Sequence, residues 1–123
     1  MNNYLNHANR LYRLALKELN SAKINKDEDI ARDASGKAWI ATADALKGFL
    51  VSNGLKAKNL PKSERQRHDL LAQFGNEKMW LLYQAIRGEI HQDAYYEGII
   101  NYTLLFEAFY SVKKFIHRCS NGG

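Results

Sequence analysis

The sequence predicts an all-α fold, a single compact antiparallel bundle of about five helices over residues 1–123. Three observations lead to it. Apolar residues recur at intervals of three and four instead of alternating. The chain has one proline, Pro61, and no β-branched run of strand length. The apolar pattern is broken where residues that stop helices occur, at Asn25-Lys26, Asn53-Gly54 and Gly75-Asn76. No linker divides the chain, and a 46% hydrophobic content is enough to fill one core without disulfides or metals.

The first helix is predicted over residues 3–24. Tyr4, Ala8, Leu11, Ala15, Leu19 and Ala22 form its apolar stripe, flanked by Leu5, Tyr12 and Leu16. Asn25-Lys26 closes it, and Asp27, Glu28 and Asp29 suit the positive end of the next helix. That second helix runs over about 27–52. Its inner stripe of Ala34, Ala38, Ala41, Ala45 and Gly48 is small enough for a neighbouring backbone to approach, with Trp39, Leu46, Phe49 and Leu50 adding bulk beside it.

A basic connection over residues 54–61 leads to Ser63-Glu64-Arg65-Gln66, a capping-box pattern that opens a short helix over 64–74. The fourth helix turns Met79, Leu82, Tyr83 and Ile86 inward and reaches about Gln92; residues 93–98 read as a turn or a broken helix. The fifth, over 99–118, is apolar on more than one side, from Ile99 and Ile100 through Leu105 and Phe109 to Ile116. Such a helix is either central in the bundle or covered by a second subunit.

The net charge of +5 is unevenly placed. Lys56, Lys58, Lys62, Arg65 and Arg67 share one stretch with a single acid, Glu64, while the rest of the chain is nearly balanced. That stretch is the candidate surface for nucleic acid or phosphate; the alternative is a solvated loop that keeps the protein in solution. No run of residues is apolar enough for a membrane span, and Met1-Asn2-Asn3-Tyr4 does not resemble a secretory signal. A cytoplasmic protein is the expectation.

One constellation can carry chemistry. Arg87, His91 and Tyr95 are spaced by four and share a helix face if the helix continues that far. A guanidinium that holds phosphate, an imidazole that moves a proton and a phenol suit a phosphate ester. The alternative is that Arg87 and His91 only order the turn before the last helix. His68 reads as a packed polar anchor or an anion contact. The histidines are not paired for metal binding, Cys119 stands alone, and no phosphate loop or nucleophile elbow is present, so no metal or other cofactor is expected.

Three local features carry a family resemblance: Gly36-Lys37-Ala38-Trp39 with Ala45-Leu46, His68-Asp69-Leu70, and Ile90-His91 followed by Tyr95-Tyr96-Glu97-Gly98. On these the chain resembles the HEPN superfamily of small helical bundles, and within it the PaREP-type prokaryotic proteins. The resemblance implies a bundle that dimerises through its helices. It also implies either a metal-independent ribonuclease using arginine and histidine, or an inactive structural partner of a small nucleotidyltransferase. Carried onto this sequence, Arg87 contacts phosphate and His91 acts on the ribose hydroxyl or the leaving oxygen. Two departures weaken the ribonuclease assignment. Only three residues separate Arg87 from His91, where the superfamily has four to six, and Gly88 follows the arginine where a polar residue is usual. The expectation is therefore a homodimeric binding or partner module, associated weakly with nucleotide or RNA, and not an enzyme.

Overall fold

The computed structural model describes residues 2–122. Among these the chain forms α1 (Asn3–Asn25), α2 (Glu28–Ser52), a 3-10 turn (Ala57–Asn59), α3 (Glu64–Phe74), α4 (Glu77–Ile86) running on into a π-helical segment (Arg87–Tyr96), and α5 (Tyr102–Ser120). The all-α, five-helix expectation holds. Each α-helix starts where a short polar side chain accepts a hydrogen bond from an amide of the first turn. The caps are Asn2, Asp27, Ser63, Asn76 and Asn101. α1 ends at Lys26, whose φ of 54° is the left-handed conformation that stops a helix.

Side-chain pairs give the helix directions. Asn2 donates to the Gly48 carbonyl, His7 pairs with Asp44, and Lys37 pairs with Glu18 at 2.7 Å, so α1 and α2 are an antiparallel hairpin. The Tyr102 hydroxyl meets the Ala22 carbonyl and Tyr12 meets Phe109, which sets α5 antiparallel to α1. Trp39 contacts both Tyr83 and His91, placing α4 and its π continuation against α2.

The core is one cluster, with Leu19, Leu46, Phe49, Tyr83, Phe109 and Phe115 among its fully buried members. In α1 the buried line is Leu5, Ala8, Tyr12, Ala15, Leu19 and Ala22, with Tyr4, Leu11 and Leu16 half-buried at its edge. The stripe is thus rotated slightly from the one the spacing predicts, because α2 and α5 both press on this helix. The small residues of α2 are filled from within the chain. A Cβ added at Gly48 would lie 2.5 Å from Leu5 Cγ, so α1 occupies the close approach that this stripe permits.

Two boundaries differ from expectation. The fourth helix does not break at residue 93; it widens, and stays helical to Tyr96. Ile90 and Ala94 on the widened turns are buried, which holds the segment to the core. Arg32 closes its far end by donating to the carbonyls of Tyr95 and Tyr96 at 2.6 and 2.8 Å. α5 starts three residues later than predicted, because Gly98 takes a φ of +69° and Asn101 is the cap. Ile99 and Ile100 therefore lie in the connection. No helix among the described residues is long and apolar enough to cross a membrane.

Candidate functional site

The site lies where α2, α3 and the widened end of α4 meet. Glu64 is the first residue of α3, where the helix dipole favours a carboxylate. Its oxygens accept from the Tyr83 hydroxyl at 2.9 and 3.1 Å, and from Arg67 Nε and Nη2 at 3.2 and 3.1 Å. Arg87 approaches from the π segment, with Nε 3.4 Å from Glu64 Oε1. Two guanidinium groups therefore share one carboxylate, and the cluster keeps a net positive charge. Burial and the neighbouring carboxylate push the Tyr83 phenol up, so it stays protonated and donates.

The π geometry builds the other half. A helix with bonds five residues apart places both the fourth and the fifth following residues over a given position. His91 accordingly meets Tyr95, stacked at 6.3 Å, and Tyr96, edge-on at 5.2 Å. Its ring also stacks on Trp39, with centroids 4.5 Å apart and planes 14° from parallel. Trp39 sits under the Arg67 guanidinium, 5.8 Å from the ring centroid. Burial holds the imidazole below its ordinary pKa; Glu64 pulls it up, while Arg67 and Arg87 push it down. His91 is thus neutral at neutral pH.

Among the described residues, the buried side-chain nitrogens without a hydrogen-bond partner are Arg87 Nε and His91 Nδ1. Both belong to this site. Arg87 Nε is at ion-pair distance from Glu64 without forming a hydrogen bond to it, and His91 Nδ1 has no hydrogen-bond partner. Each can donate to an acceptor, His91 when its tautomer carries the proton on Nδ1.

A family model described as the archaeal PaREP1/PaREP8 family matches residues 10–111. This chain belongs to that family. The matched stretch contains the whole Glu64–Arg67–Arg87–His91 site of this PaREP1/PaREP8 member. No curated protein and no solved structure matches the chain.

The residues that the sequence nominates divide between two places in this PaREP1/PaREP8 protein. Arg87, His91 and Tyr95 do come together, though on a π-helical and not an α-helical face. Tyr95 is exposed, and its ring packs over Gly36, where a Cβ would stand 2.7 Å from Tyr95 Cε1. Of the five bases between residues 56 and 67, only Arg67 turns into the site. Lys56, Lys58, Lys62 and Arg65 are exposed. Lys58 and Lys62 edge a separate shallow hollow, and Arg65 pairs with Asp69 at 3.4 Å along α3. His68 is anchored against Gln84, at 2.7 Å, and Trp80.

Sequence reasoning did not find Glu64 and Trp39 as parts of the site. Glu64 had one signal, its i,i+3 spacing to Arg67 on a helix face. Trp39 had none, since an aromatic beside a small-residue stripe reads as core.

Proposed function

We propose that this protein is a homodimeric binding or partner module whose Arg67–Arg87–His91 cluster takes the phosphate of a nucleotide or of RNA. The observation that carries the reading is that Arg87 Nε and His91 Nδ1, two buried nitrogens of one positively charged site, have no hydrogen-bond partner. A phosphate offers acceptors only, and a guanidinium is the group best shaped to meet it. In the absence of ligand, Glu64 serves as the counter-ion. The stacked aromatics beside it suit the planar part of a nucleotide. The HEPN-like reading of the chain agrees with such a ligand.

Calorimetric titration with inorganic phosphate and with adenosine monophosphate tests this. Wild-type protein is expected to bind both, and Arg87→Ala to weaken binding at least tenfold, since a hydrogen bond to a charged group is worth about 1.5–3 kcal/mol. Glu64→Gln removes the competing carboxylate and is expected to tighten binding. Absence of binding, or binding indifferent to Arg87, sinks the proposal.

One observation favours a second reading, a metal-independent ribonuclease. A neutral imidazole next to a guanidinium is the state a general base needs. His91 would then take the proton of the ribose hydroxyl while Arg87 stabilises charge on the phosphate. Incubation with a labelled RNA separates the two readings. The module leaves the RNA intact, whereas cleavage lost by about a hundredfold in His91→Ala establishes the enzyme.

A further inference from the structure

Beyond the basic stretch of residues 56–67, the chain carries Lys113, Lys114 and Arg118 after its last acid, Glu107, and the fold adds Lys78 to them. The outer faces of α4 and α5 leave two hollows of about 510 and 310 Å3 that share Lys114 and Arg118 and so form one groove. Along α4, in the smaller hollow, its floor is apolar, with Leu81 59% exposed and Leu82 beside it. Lys78 on α4 and Lys113, Lys114 and Arg118 on α5 edge it, and no Asp or Glu lines it. Among the described residues, Lys78, Lys113 and Lys114 make no ion pair.

We propose that this groove docks an acidic amphipathic helix of a protein partner. The partner's apolar stripe would lie on Leu81 and Leu82, and its carboxylates would meet Lys78, Lys114 and Arg118. Charge complementarity chooses the sign of the occupant, and the leucine floor chooses its kind. A helix presents apolar side chains at i, i+3 and i+7 with acids on either flank, which matches leucines edged by lysines. Lys78 to Ala85 spans about two helical turns, enough for such a set of anchors. A nucleic-acid backbone gains nothing from exposed leucines. The aromatic ring in the groove, Tyr110, is already met by the Lys114 ammonium 4.9 Å from its centroid, so it is not a free platform for a base.

The test is fluorescence anisotropy with a labelled peptide of about four helical turns, leucines at i, i+3 and i+7 and glutamates flanking them. Comparison probes are the same peptide with serines for the leucines, and an oligouridylate. The leucine–glutamate peptide is expected to bind saturably and more weakly as salt rises. Leu81→Asp and Lys114→Glu should each weaken it at least tenfold, while Arg87→Ala leaves it unchanged. These groove positions are solvent-facing, so equal melting temperatures are expected. If Lys114→Glu melts early, Lys78→Glu takes its place. The proposal is overturned if nothing binds saturably, if the serine peptide or the oligouridylate binds as tightly, or if the groove variants leave peptide binding intact. Self-association that disappears with Leu81→Asp also overturns it, in favour of a second copy.

Discussion

Glu64 shows how much one side chain can organise. It opens α3 at a helix end that favours its charge, and its two oxygens gather Arg67 from its own helix with Tyr83 and Arg87 from α4 and its π continuation. His91 is held in the same site by stacking and not by hydrogen bonding at Nδ1. Its protonation therefore opposes folding. Its pKa in the folded protein lies below the unfolded value, so as pH falls through about 6.5 the unfolded chain takes up the proton first and stability declines. Glu89 acts in the opposite direction, because burial and then Asp93 raise its pKa. A comparison of variants isolates the histidine. Melting followed between about pH 8 and 5 is expected to fall more steeply in wild type than in His91→Phe, which keeps the stack without the titration. Parallel curves would contradict the assignment.

At the scale of elements, two features decide where the site sits. The π segment turns Tyr95 and Tyr96 onto His91 and survives because Ile90 and Ala94 are buried and Arg32 closes its end. The α1–α2 hairpin supplies the wall that carries Trp39. Its closeness depends on Gly48, where an added methyl group would meet Leu5 at 2.5 Å and Asn2 Oδ1 at 2.9 Å. Gly48→Ala gains helix propensity in α2 but must push α1 away. Overpacking of this kind costs about 1–3 kcal/mol, more than the roughly 0.5–1 kcal/mol that alanine gains over glycine in a helix. A lower denaturation midpoint is the expected outcome. An unchanged or higher midpoint would mean that α1 yields easily there.

For the whole molecule, the distribution of charge and exposed apolar surface matters more than their totals. The small-residue stripe of α2 is spent inside the chain, so it cannot pair subunits. Exposed apolar residues remain at the start of α5, where Ile99 and Leu104 face solvent. The proposed homodimer would form through that corner, away from the α4–α5 groove. Light scattering at micromolar concentration is expected to give twice the chain mass of 14.1 kDa. Leu104→Asp should return it to the single-chain value. A wild-type mass of one chain would remove the dimer.

The sequence by itself determined the helices, most of their ends and the Ser63 cap. Periodicity and short polar caps are local properties, and Asn2, Asp27, Ser63, Asn76 and Asn101 act within their own first turns. It also brought Arg87, His91 and Tyr95 to notice, because neighbours on one helix are legible from spacing. The tertiary structure alone decided the rest. Widening of the helix after Ile86 depends on contacts with α2, so propensity carries no sign of it. Glu64 and Trp39 join the site from other helices, and Lys78 meets Lys114 and Arg118 only because α4 packs against α5. Electrostatics and stacking act through space over several ångströms. Which residues share a field is therefore set by how the helices pack and not by their order along the chain.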